Sequence, residues 1–146
     1  MGIALPPPSQ PVASYVPVVI TGALAYVSGQ VPLDEGQLLW SGKLGQELDV
    51  EAGAEAARRC ALQALAALRA RIGSLDLVQR IVKLGVFVAS APGFTDQPKV
   101  ANGASDLLVE IFGDDGRHAR AAVGVAELPL GAPVEVEVVA EISAGT

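Results

Sequence analysis

Few side chains in this 146-residue chain are suited to chemistry, and most of those gather in its last third. From Val134 to Ile142 the even positions Val134, Val136, Val138, Ala140 and Ile142 are apolar, whereas Glu135, Glu137 and Glu141 occupy odd ones. A period of two sets carboxylates on one face of a strand and a dry surface on the other. Upstream, Arg120 shares a strand face with Ala122, Gly124 and Ala126, so one long cation stands among small neighbours. Two readings are open for it. It forks a ligand carboxylate with its planar donors at the floor of a pocket, or it pairs with Glu135 or Glu137 across the sheet, as charges on a solvated sheet face commonly do.

Other reactive groups are scarce. Cys60 is the only cysteine and His118 the only histidine, which excludes an internal disulfide and a Cys/His metal cluster. Cys60 has no base near it in sequence and reads as a small core residue. His118, in a turn beside Arg117, reads as a surface residue rather than a general base. Arg58, Arg59, Arg69 and Arg71 read as a solvated helix face, and the two aspartates between Gly113 and Gly116 argue against a phosphate cradle. No Walker, Rossmann, nucleophile-elbow or metal-ligand pattern occurs. With 10 Lys+Arg against 16 Asp+Glu the net charge is -6, which makes nucleic acid an unfavourable partner. The cysteine usage fits a reducing, cytoplasmic compartment.

The elements that must position these residues follow from periodicity. No charge precedes Asp34, but the segment lacks a basic n-region, begins with Pro6, Pro7 and Pro8, and is broken by Pro17, Thr21, Gly22, Ser28, Gly29 and Gln30. It is thus neither a signal peptide nor the ~20 apolar residues of a membrane span, and reads as buried strands. Residues 15–20 and 24–31 form a hairpin. Asp34, Glu35 and Gly36 turn the chain, and 38–40 make a third strand. Apolar residues at spacings of three and four from Asp49 to Ile72 mark an amphipathic helix capped by Asp49 and stopped by Gly73. Residues 78–89 form a strand apolar enough to have both faces covered. A second helix starts at Thr95 or Asp96 with Pro98 in its first turn and ends at 113–116. Strands 119–128 and 134–142 complete the order β-β-(β)-α-β-α-β-β. The pattern specifies a single α+β domain over 1–146, a two-layer sandwich with a mixed sheet of about six strands and two helices on one face.

The run Ala119-Arg120-Ala121-Ala122-Val123-Gly124-Val125-Ala126-Glu127-Leu128-Pro129, followed by Ala132-Pro133-Val134-Glu135-Val136-Glu137, resembles the signature of the Rid (YjgF) family, also called L-PSP endoribonuclease. The resemblance extends to Tyr15-Val16 and to Ser28-Gly29-Gln30-Val31-Pro32, and in element order to almost the whole chain. The segments 100–106 and 116–120 resemble a bacterial branch distinct from the best-studied deaminases. What the resemblance implies is a chorismate-mutase-like fold and a homotrimer whose sheets enclose a central barrel, with ligand clefts between subunits. It further implies that Arg120 binds a substrate carboxylate, that Tyr15 enters from the adjacent subunit, and that Glu135 orients the attacking water. Ser28, Gly29, Ala122 and Asn102 would complete the substrate site, with no cofactor and no metal. Two positions depart from the family: Ala122 replaces a frequent Cys, and Ala121 its usual Ser or Thr neighbour. Three functions are therefore expected in descending order: hydrolytic deamination of 2-imino or enamine acids, non-catalytic binding of small carboxylates or keto acids, and RNA cleavage. Specificity is expected in loops 40–45 and 92–95.

Overall fold

The computed structural model describes residues 2–11 and 13–143. Strands β1 (Val18–Thr21) and β2 (Leu24–Gln30) form the expected antiparallel hairpin. After it, β3 (Leu33–Asp34) and β4 (Gln37–Leu38) pair, among the described residues, only with each other, because Glu35 and Gly36 both adopt positive φ, 50° and 78°. Two consecutive left-handed residues make the tightest hairpin turn, so the chain folds back at once and residues 38–40 never reach the main sheet. Among the described residues the sheet consequently has five strands rather than about six, with a two-stranded ribbon beside it.

Helix α1 (Val50–Ile72) starts and stops as its sequence dictates. The Asp49 carboxylate accepts from the Ala52 amide at 2.9 Å, and the Gly73 amide donates to the Arg69 carbonyl at 2.8 Å. Strand β5 (Val78–Ala89) is followed by α2 (Gln97–Phe112), which has Asp96 at its N-cap position and Pro98 in the first turn. Strands β6 (Ala119–Val125) and β7 (Val134–Ile142) close the order. The sheet runs β1-β2-β7-β5-β6, with β5 and β6 parallel and the other pairs antiparallel. A parallel pair needs a long crossover, and α2 supplies it. Strand β7 is thereby inserted between β2 and β5, away from its sequence neighbour β6.

Both helices cover one face, as the sequence predicts. Leu84, Val86 and Val88 of β5 and Val134, Val136, Val138 and Ala140 of β7 are buried beneath them. Alanines 56, 57, 61 and 64 are wholly or almost wholly buried in α1 with Leu65 and Leu68, and a fully buried leucine contributes roughly 1.5–3 kcal/mol. Where α1 and α2 cross, a Cβ on Gly103 would overlap the carbonyl oxygen of Ala54, so this contact needs a residue without a side chain. The opposite face of the sheet is open. It carries Glu135 and Glu137 together with Val19, Tyr26 and Val123, each about half exposed. On β5 only the helix-facing side is covered within the single chain, because Lys83 and Phe87 point to the open face. No helix among the described residues is long and apolar enough to cross a membrane.

Candidate functional site

Glu135 stands near the start of β7, opposite Phe87 of β5 on one side. On its other side the β2–β7 ladder is irregular between Val27 and Gln30, which displaces Ser28 and Gly29 from regular pairing. Such a bulge re-aims the chain locally. A Cβ at position 29 would overlap Glu135 Oε2, with Cδ at 2.9 Å and Cγ at 3.1 Å, so Gly29 is where the carboxylate lies down on the hairpin. Ser28 holds the strand entry. Its hydroxyl donates to the Val16 carbonyl at 2.7 Å and its amide to the Pro17 carbonyl at 2.8 Å, which fixes the backbone that carries Tyr15.

Tyr15, Gly29 and Glu135 together line a cleft of about 260 Å³. Pro17, Val31 and Leu33 form apolar walls, Leu130 its rim on one side, and Ser9, Gln10 and Pro11 a further side. That last wall is tied down by Gln63 of α1, whose side-chain amide donates to Ser9 Oγ at 2.8 Å. Glu135 is half-buried, and burial raises its carboxyl above the ordinary value, with the Glu137 charge adding to the effect. A carboxylate of raised proton affinity beside an apolar cleft is suited to taking and returning a proton through a water molecule.

Arg120 belongs to a second cluster. Its Nη1 donates to Asn102 Oδ1 at 2.9 Å and to Ser105 Oγ at 3.1 Å, and Nη2 reaches the Pro98 carbonyl at 3.5 Å. Asn102 and Ser105 are three residues apart on α2 and therefore share one helix face. Ser105 also bonds His118 Nε2 at 2.9 Å, while His118 Nδ1 meets the Gly116 carbonyl at 2.6 Å. Ala122 follows Arg120 on the same strand face and packs against the edge of the core.

The two clusters lie on opposite faces of the sheet. Arg120 is in register with Leu84, which points to the helices, whereas Glu135 is in register with Phe87, which points away. Cross-strand pairing of Arg120 with Glu135 or Glu137, one of the two readings open from sequence, is therefore excluded, because β5 separates β6 from β7. Tyr15, Gly29 and Glu135 come together; Arg120, Asn102 and Ala122 form the other group; Ser28 braces the first. Sequence reasoning missed Ser105, whose spacing from Asn102 was the available signal, and the cleft wall at 9–11, which has no periodicity to betray it. Loops 40–45 and 92–95 do not line this cleft. They pack on one another, with Gly45 against the Phe94 ring. Cys60 is buried, donates to the Val134 carbonyl at 3.5 Å, and has its thiol pushed well up by burial, which suits a core residue.

A two-layer α+β sandwich with one bare sheet face and a half-buried carboxylate at a bulged hairpin defines the class. The family described as endoribonuclease L-PSP matches residues 7–142, and the chain belongs to this family, which includes the YjgF gene product of E. coli. Protein TCP17 of Trypanosoma cruzi is 50% identical over 144 residues, which is 98% of this chain and 90% of that protein. The crystal structure of Atu1372 from Agrobacterium tumefaciens, a protein of unknown function, is 45% identical with a TM-score of 0.91, covering 97% of this chain and 87% of the other. A Shewanella oneidensis MR-1 protein provisionally described as an endoribonuclease is 35% identical with a TM-score of 0.93, covering 97% and 93%.

Proposed function

We propose that the chain is a cofactor-independent hydrolase of 2-imino and enamine acids, acting in clefts between the subunits of a homotrimer. The observation that carries this reading is the division of Arg120 and Glu135 between opposite faces of one sheet. Neither cluster is a whole site alone, and a neighbouring chain that sets its Arg120 over the Tyr15–Glu135 cleft completes one. The open sheet face, with Val19, Tyr26 and Val123 half exposed, is suited to burial against other copies.

The chemistry asks little more. The carbon of a protonated imine is already electrophilic, so catalysis reduces to anchoring and to placing one water. Arg120 binds the carboxylate by its remaining donors. Ionised Glu135 accepts a proton as the water oxygen bonds to the imine carbon and returns it to nitrogen; as the carbon–nitrogen bond then breaks, the carboxylate accepts the remaining hydroxyl proton, the carbonyl forms, and that proton passes to solvent. A 2-oxo acid and ammonia leave. Tyr15 lines the same cleft and orients the nitrogen. The apolar walls around Pro17, Val31 and Leu33 fit a hydrocarbon side chain. RNA cleavage is the weaker alternative, because the face carrying Glu135 also presents Glu137 and the chain bears a net charge of -6, which repels a phosphate backbone.

The test is the loss of imines generated in situ from several amino acids, followed with and without protein. Acceleration by the wild type and its loss in Arg120→Ala are expected, with light scattering giving three chains per particle. No acceleration with any imine, alongside 2-oxo acid binding that Arg120→Ala abolishes, overturns catalysis in favour of a small-carboxylate binding protein. A monomer in solution removes the shared cleft.

A further inference from the structure

Arg120 does not stand alone at its strand edge. Nη1 has two hydrogens, and both are used, one on Asn102 Oδ1 and one on Ser105 Oγ. Nη2 has only the long contact to the Pro98 carbonyl, and Nε makes no hydrogen bond among the described residues. The edge formed by Nε and Nη2 is thus left with parallel donors, the pair that grips a carboxylate side-on.

The polarity of the network explains how this arrangement is held. A backbone carbonyl only accepts, so the 2.6 Å contact between His118 Nδ1 and the Gly116 carbonyl puts the proton on Nδ1. In the neutral imidazole Nε2 is then an acceptor, and the Ser105 hydroxyl donates to it. That turns the lone pairs of Ser105 Oγ toward Arg120 Nη1. One direction of donation runs from guanidinium to hydroxyl to imidazole to carbonyl, with no donor facing a donor.

We propose that Ser105 and His118 are positioning residues that fix the Nη1 end of Arg120 and so reserve its Nε–Nη2 edge for the substrate carboxylate. This rests on the reading of Arg120 as the carboxylate anchor. Neither residue touches the reacting atoms, so the pair acts on substrate binding and leaves the chemical step alone. His118, which its turn position marks as an ordinary surface residue, acquires a role through Ser105.

The experiment compares Ser105→Ala, His118→Leu and His118→Gln with the wild type, reading KM and kcat for imine hydrolysis and Kd for 2-oxobutyrate by calorimetry. Loss of the acceptor for a charged donor in Ser105→Ala, and in His118→Leu loss of the acceptor that orients the Ser105 hydroxyl, should raise KM and Kd on the order of tenfold, with kcat within twofold. His118→Gln, whose side-chain oxygen accepts from Ser105 as Nε2 does, should return both to near the wild-type values. A second readout is independent of turnover: His118 is the only imidazole in the chain, so its nitrogen-15 shifts report directly whether Nδ1 carries the proton. A proton on Nε2 at neutral pH, or unchanged KM and Kd in Ser105→Ala while Arg120→Ala abolishes both activities, overturns the proposal. A wild type that neither hydrolyses imines nor binds 2-oxobutyrate overturns the anchor reading and this one with it.

Discussion

Substituting Gly29 by alanine separates the fold of this protein from its proposed chemistry. The added Cβ would lie 2.9 Å from Glu135 Cδ and 3.1 Å from Cγ, and would overlap Oε2. Carbon atoms settle at about 3.5–4.0 Å, so the carboxylate must retreat by roughly 0.6–1 Å, and it has an open cleft into which to swing. The backbone at Gly29 is not in the left-handed region, so alanine brings no conformational strain of its own. The stability cost is bounded by an off-rotamer side chain, ~0.5–1.5 kcal/mol. The catalytic cost is larger, because a displacement of about 1 Å in an orienting group lowers rate by roughly a hundredfold, equal to about 2.7 kcal/mol of barrier. The assay pairs a urea melt with imine hydrolysis. The expected variant keeps its midpoint within the small shift above and loses at least two orders of magnitude in kcat, with 2-oxo acid binding largely retained through Arg120. Full activity with a displaced Glu135 would refute the assignment of this carboxylate to the water; a collapse of stability would refute the claim that only a side-chain end has to move.

Further outcomes follow from the same structure. Glu135→Gln should lose turnover by at least ~10²-fold while changing how stability depends on pH. Burial first, and the Glu137 charge second, raise the folded-state value of this carboxyl. Its stabilising contribution is therefore complete below the unfolded-state value and is lost as pH rises through the raised one. Glutamine removes that loss, so the variant should gain on the wild type in urea melts as pH rises above the ordinary carboxylate range, and a gap independent of pH would contradict the cause given. In the wild type, activity should fall in acid as Glu135 takes up its proton. Gly103→Ala should destabilise by roughly 1–3 kcal/mol, since the new Cβ meets the Ala54 backbone rather than a movable side chain. Denaturation should show a lower midpoint with an unchanged m-value, and an unaltered midpoint would mean that the helices cross less tightly.

The helices were legible because their signals are local. Asp49, the three-and-four spacing of apolar residues and Gly73 mark both ends and the buried face of α1 without reference to anything distant. Strand partners were not. Residues 38–40 have a strand-like composition, yet the left-handed pair Glu35 and Gly36 decides which backbone they meet. The alternative that paired Arg120 with Glu135 assumed that consecutive strands are neighbours, whereas the parallel β5–β6 pair forces β7 to the far side of β5. For the site, residue types were readable from motif and alternation, but not their grouping. Gly29 is required for lack of volume, which no backbone propensity announces, and the Gln63–Ser9 bond that sets one cleft wall spans 54 positions.

A sheet is a partition, and this chain keeps its cation on one side of it and its carboxylate on the other. In the proposed assembly each working centre therefore has two parents, and every chain gives a cation to one neighbour's cleft and a carboxylate to another. Genetically, a lesion in the Arg120 half and a lesion in the Glu135 half are not equivalent defects of one unit. Coexpressed in the same cell, two such inactive alleles can meet with the intact half of each facing the other, so a locus of this kind is open to complementation between its own mutants.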